Sequence, residues 1–197
     1  MTTIAWCGRY LAADSLRSRN GTRMGHYPKI HAKTADGEFY DEEDGRRLAF
    51  ALTGFPAHRE QWIAWYLNGQ GKDDLPHAPD TSDLGGWFIV LREGDCPSLR
   101  VCSLATPYLV DVAEAPDAWG SGGDLALGAM LAGKSAPEAV AIACGPRGDT
   151  GTGGPIRFLD TQNWDAGVQE YDRDPPTVVK ELRAVKSDFG VMREIRG

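Results

Sequence analysis

Short apolar runs broken by Gly, Asp, Asn and Pro dominate the first two-thirds of the chain. Thr3–Cys7 and Tyr10–Ala13, separated by Gly8-Arg9, predict an opening β-hairpin. After a polar loop around Asn20-Gly21, Tyr27–Lys33 predicts a strand, and Asp36-Gly37 turns the chain into Glu38-Phe39-Tyr40 as a second hairpin. Leu48–Leu52 is an apolar run ending at Thr53-Gly54, and Pro56 suits the first turn of a helix carrying Trp62, Ile63, Trp65 and Tyr66. The spacing of Trp62, Trp65 and Tyr66 puts the three rings on one helix face, for which core packing is the expected role. Any exposed part of that face would suit a subunit contact. Residues 68–86, rich in Gly, Asp and Pro, show no periodicity and predict a surface loop.

Strands return at Trp87–Leu91, Leu99–Leu104 and Tyr108–Val112, separated by Gly94-Asp95 and Thr106-Pro107. From Asp124 to Ala132 the residues become Ala, Leu and Met, which favour helix. Ser135-Ala136-Pro137-Glu138 then has the capping-box pattern and opens a second helix over Ala136–Cys144. A Gly-rich run at 148–154 precedes a strand at Ile156–Leu159, and Pro175-Pro176 precedes a charged helical stretch from Thr177 to about Lys186. Strands, helix, strands, helix pair and strand in this order predict two antiparallel sheets with helices outside, an α/β sandwich built from hairpins.

Composition narrows the function classes. The 197 residues carry 21 Lys+Arg against 28 Asp+Glu, a net charge of −7, which argues against a general nucleic-acid binder. Hydrophobic content of 42% is that of a chain with a buried core. No apolar run is long enough to cross a bilayer, so no membrane role is expected. The first ten residues lack the basic start and apolar stretch of a secretory signal, and the expected location is the cytoplasm. Cys7, Cys96, Cys102 and Cys144 show no CxxC spacing, and His26, His31, His58 and His77 show no metal spacing. Reduced, mostly buried thiols, no metal and no cofactor are expected.

Three motif-like stretches lose their meaning in context. Gly128 to Ser135 matches the GxxxxGK[ST] phosphate loop, but the intervening residues are apolar helix formers where a phosphate cradle needs an irregular loop after a strand. Gly128 reads as helix interior and Gly133 as the helix cap. Asp149 to Gly154 is followed by Pro155 and a strand, so no helix N-terminus follows to hold a phosphate. Arg147-Gly148-Asp149 is a chance tripeptide.

Thr2 is the first chemical candidate. If Met1 is removed, its hydroxyl and a free α-amine share one residue, and an amine of pKa roughly 7.7–8.0 suits proton transfer at neutral pH. That is the N-terminal-threonine form of nucleophile activation. A Met-Thr start alone is weak, since an ordinary strand start reads the same way.

The later residues strengthen it. Thr2-Thr3-Ile4-Ala5, Leu11 to Ser15, Pro28-Lys29-Ile30, Gly54 with Ala57, Gly120-Ser121-Gly122-Gly123, and Asp149 with Thr152-Gly153-Gly154, in this order and spacing, resemble the proteasome β-subunit family. The likeness is greatest to the bacterial heat-shock-locus protease and its short bacterial and phage relatives. It runs from Thr2 to about Leu159. The resemblance implies a four-layer αββα sandwich of two antiparallel sheets flanked by helices, of the Ntn-hydrolase type, spanning residues 1–160. Residues 161–197 would be a C-terminal arm or tail. It further implies Thr2 as nucleophile with its amine as base, and Asp14 and Lys29 as a buried ion pair beside it. Gly54 would be the backbone donor to the oxyanion, and Ser121, Asp149 and Thr152 would hydrogen-bond around the amine.

Each residue also has a plain structural role: a turn for Asp14, a solvated strand charge for Lys29, a turn glycine for Gly54, and caps or turns for Ser121, Asp149 and Thr152. Lys33 competes with Lys29. His58 stands where the family's G-x-x-A-D pattern has Asp. The activity so implied is cleavage of peptide bonds in peptide or unfolded-protein substrates, within a homo-oligomeric ring fed by an ATP-dependent unfoldase. The alternatives are a small-molecule amidohydrolase of the same fold and a silent scaffold that retains Met1.

Overall fold

Side-chain alternation sets the layers. In β1 (Ile4–Trp6), Ile4 and Trp6 turn into a core between two sheets, while Ala5 turns outward under helices. In β8 (Arg47–Leu52), Ala49 and Ala51 enter the same inter-sheet core, while Leu48 and Phe50 face the opposite side. The computed structural model describes residues 2–19, 22–34, 37–53, 59–69, 86–103, 106–112, 114–145 and 152–172.

The first sheet adds β2 (Tyr10–Ala13), β12 (Asp117–Trp119), β13 (Ile156–Asp160) and β14 (Gln169–Tyr171), in the order β12-β1-β2-β13-β14. The second contains β5 (Ile30–His31), β6 (Lys33–Thr34), β7 (Gly37–Tyr40), β9 (Trp87–Arg92), β10 (Ser98–Ser103) and β11 (Thr106–Asp111). Its order is β11-β10-β9-β8-β7-β6, with β5 also on β8. All pairings are antiparallel. Helix α1 (Arg59–Leu67) covers the second sheet, and α2 (Gly123–Leu131) with α3 (Ala136–Ala143) covers the first. This is the expected αββα sandwich.

Each outer layer has its own packing. Under α1, the Phe50 ring stacks on Phe88 and meets Phe39 and Tyr66 edge-on, and Trp62 and Trp65 are buried beside them. Under α2 and α3 the contacts are small on small: Ala5 and Ala12 of the sheet against Ala126, Ala136, Ala139 and Ala143. At the start of α3, the Glu138 carboxylate accepts from the Ser135 amide at 2.9 Å and hydroxyl at 2.8 Å. Gly128 lies inside α2, and the Gly133 amide donates to Met130 O at 2.9 Å, so the phosphate-loop look-alike is a helix and its cap.

Several elements depart from the sequence expectation. The polar loop around Asn20-Gly21 is flanked by a paired ribbon, β3 (Leu16–Arg19) and β4 (Thr22–His26). It escapes hydrophobic patterning because β4 has no buried residue. The strand expected over Tyr27–Lys33 is reduced to β5 and β6. Pro28 has no N–H to give a ladder, and the Tyr27 N–H goes to Ser15 O at 2.7 Å. β12 and β14, three residues each, are too short to show a period. Trp164, in a 3₁₀ turn, is buried in the inter-sheet core, and β14 extends the first sheet. The helix expected at Thr177 to Lys186 lies outside the described residues. Among the described residues no helix is long and apolar enough to cross a membrane.

Candidate active site

The register of the opening hairpin creates the site. Ile4 pairs with Ala13 across β1–β2 and with Trp119 across β1–β12. One step beyond, the start of the chain runs between Asp14 on one side and Gly120-Ser121 on the other. The Asp14 amide donates to Thr3 O at 3.1 Å. Thr2, Thr3 and Asp14 are all buried.

The Asp14 carboxylate is the hub. Its Oδ1 accepts from the Thr3 amide at 2.7 Å and from Lys29 Nζ at 2.6 Å. Its Oδ2 accepts from the Leu16 amide at 3.2 Å and the Gly153 amide at 3.0 Å. Because Lys29 and Thr3 share one oxygen, the ammonium is held beside the Thr2–Thr3 peptide. Lys29 comes from the second sheet's side, where its carbonyl accepts from the Leu52 amide at 3.1 Å. The ion pair therefore bridges the two sheets at one end of the sandwich. Burial pulls the Lys29 pKa below its ordinary value, and the facing Asp14 carboxylate, with a smaller effect from Cys144, works against that fall. Lys33, the competing cation, is exposed on β6.

Ser121 meets Thr2 from the other side. The Thr2 nitrogen donates to Ser121 Oγ at 3.2 Å, and the Gly122 amide reaches Thr2 O at 3.4 Å. A Cβ on Gly120, whose φ is +92°, would overlap the Thr2 carbonyl oxygen, and one on Gly122 would overlap Thr3 Oγ1. Only glycine lets this turn lie so close to the chain start. Thr152 is buried one residue before the Gly153 amide that binds Asp14, and its hydroxyl reaches Ala143 O at 3.5 Å. Thr53 is fixed by Trp87, with its amide on Trp87 O at 2.9 Å and its hydroxyl accepting from the Trp87 amide at 2.8 Å. Gly54, His58 and Asp149 lie outside the described residues.

The structure thus brings together Thr2, Asp14, Lys29 and Ser121, with Thr152 on the adjoining loop. Sequence reasoning gave no separate role to Gly120, Gly122 or the Gly153 amide. Their signal was present as glycine runs, which mark close backbone approach. The cysteines form no disulfide: Cys102 is buried, with its thiol pushed up to about 11 by desolvation, Cys7 and Cys144 are half-buried, and Cys96 is exposed.

The two antiparallel sheets with helices outside make an αββα sandwich, a fold the chain shares with solved structures of Anbu and HslV. Among solved structures, the chain is similar over its whole length to Anbu. For the ancestral β-subunit from Yersinia bercovieri the TM-score is 0.57 at 10% identity, covering 100% of this chain and 97% of that one. For the helical assembly of the Anbu complex from Pseudomonas aeruginosa it is 0.58 at 13% identity, covering 100% and 97%. HslV from Trypanosoma brucei gives 0.54 at 14% identity, covering 81% of this chain and 98% of that one. No family model matches the sequence, and no curated protein is similar to it.

Proposed function

We propose that the chain is a threonine-type N-terminal nucleophile hydrolase that cleaves peptide bonds through Thr2 once Met1 is removed. The observation that carries this reading is the single Asp14 oxygen that holds both the Lys29 ammonium and the Thr3 amide. In this reading the desolvated Lys29 cation, held one residue away at the Thr3 amide, acts on the neighbouring Thr2 hydroxyl and amine. The like charge of Lys29 favours the neutral form of a freed Thr2 amine, the form that accepts a proton.

In this reading the amine takes the Thr2 Oγ proton as Oγ bonds to the substrate carbonyl carbon and the C=O pair moves onto oxygen. The backbone amide of Gly54, next to the anchored Thr53, would donate to that oxyanion. Collapse breaks the C–N bond, and the proton on the Thr2 amine passes to the leaving nitrogen. Water then attacks the Thr2 ester, giving its proton to the amine, and that proton returns to Thr2 Oγ as the ester C–O bond breaks and the acid leaves. Ser121, which accepts from the Thr2 nitrogen, would orient the amine, and the resemblance gives Asp149 and Thr152 the same role. Self-assembly belongs to the proposal, supported by the helical assembly of the Anbu complex, and so does an ATP-dependent unfoldase that feeds it.

With residue 1 in place, the Thr2 nitrogen is an amide donor to Ser121 and cannot serve as the base, which suits a silent scaffold. Intact mass spectrometry separates the readings. Loss of one methionine, followed by a single adduct from an electrophilic peptide that Thr2→Ala abolishes, supports the hydrolase. Retention of methionine in every molecule supports the scaffold. Cleavage of a small amide without cleavage of peptides would assign the amidohydrolase alternative.

A further inference from the structure

The ribbon β3–β4 belongs to neither sheet and has almost no buried face. All of β4 is exposed, with Met24 at 53%, and within the ribbon's described side chains only Leu16 is buried. A two-stranded ribbon by itself is marginal in water. This one is clamped at its base: the Ser15 and Leu16 amides donate to Gly153 O at 3.2 and 2.8 Å, and the His26 ring lies against Gly154. The ribbon thus projects from the same loop whose Gly153 amide holds Asp14.

Its charge is opposite to that of the molecule. Residues 16–26 contain Arg17, Arg19 and Arg23 and no acid, in a chain whose 28 acidic residues against 21 basic ones give a net charge of −7. Arg17 and Arg23 are exposed and make no ion pair among the described residues. The turn Asp41–Asp44 between β7 and β8 has the complementary character. Asp41 and Asp44 are engaged by Arg92 and Arg46, while Glu42 and Glu43 are exposed and without an ion pair among the described residues. The ribbon base sits at the Leu52 end of β8, next to Lys29, and the acidic turn sits at the Arg47 end. Six strand residues, roughly 20 Å, separate them, so the two surfaces lie at opposite ends of β8.

We propose that β3–β4 is a docking arm whose partner is the Asp41–Asp44 turn of a second copy of this chain. The contact is heterologous, head to tail, and repeats into a ring or a helix according to its rotation. It rests on the self-assembly proposed above and names the surfaces that carry it. Exposed charges of this kind set orientation and partner choice, so their reversal has a large effect on which copies meet.

Sedimentation velocity over a range of concentrations tests it on the full chain. Arg17→Glu with Arg23→Glu shifts assembly to about tenfold higher concentration, as does Glu42→Arg with Glu43→Arg. All four reversals in one chain restore assembly, and Arg17→Lys with Arg23→Lys leaves it near wild type. Circular dichroism of each variant checks that the sandwich is intact. Reversal variants that assemble like wild type, or a fourfold variant that does not recover, overturn the docking arm while leaving self-assembly standing. A wild-type chain that stays monomeric at every concentration overturns both.

Discussion

At the scale of single residues, the account turns on groups placed where water would otherwise compensate them. Lys29 is buried and paired, so removing either partner leaves an uncompensated charge at a cost of about 3–5 kcal/mol. His31 is the second such group. Burial, and then the nearby Arg59 guanidinium, push its pKa down to about 4 against the hydrogen bond with the Pro28 backbone, and its Nε2 is buried without a partner among the described residues. The folded chain therefore keeps His31 neutral, while the unfolded chain takes up a proton near pH 6.5. Between those values the unfolded state binds more protons, so stability falls as the pH drops from about 6.5 through about 4. Urea unfolding across this range should show that slope, and His31→Gln should flatten it. In the sequence, the Pro28-Lys29-Ile30 pattern favours Lys29 over the competing Lys33. The sequence offers no sign of His31, whose shift comes from burial and from Arg59 across the fold.

At the scale of elements, the site is a consequence of strand register. β1 is flanked by β2 and β12, and the next residue of each, Asp14 and Gly120, falls beside the start of the chain. The hairpin β1–β2 was legible because Ile4, Leu11 and their neighbours form apolar runs around Gly8-Arg9. β12 was not, since Asp117-Ala118-Trp119 is too short to carry a period and is recognised only by its pairing with β1. The ribbon β3–β4 was hidden for another reason: its strands are held by backbone bonds and bury little. Two glycines test the distinction between a close approach and ordinary helix. Gly128→Ala, with nothing within 4 Å of the new Cβ, should stabilise the chain by about 0.8–1 kcal/mol. Gly120→Ala should destabilise it by about 1–3 kcal/mol, because it strains a positive φ and drives a methyl into the Thr2 carbonyl. Thermal unfolding of both variants gives the two signs.

At the scale of the molecule, the αββα layers convert alternation into the geometry of the candidate site. Each sheet contributes one member of the ion pair, so Asp14 and Lys29 meet only when the sandwich is closed. The layer order could be read from the sequence because β8 and β9 are apolar on both faces and the helices carry matching aromatic or alanine-rich surfaces. Which ends of the sheets converge could not, since that depends on pairings between residues more than a hundred positions apart. The measurement that bears most directly on the central claim is the rate at which an electrophilic peptide modifies Thr2, followed by intact mass, in wild type and Lys29→Ala. Each sample should have lost Met1 and kept its fold by circular dichroism. The account predicts one adduct per wild-type chain and a rate lower by at least about 100-fold in the variant. A demethionylated wild type that takes no adduct, or a variant labelled at the wild-type rate, would contradict it.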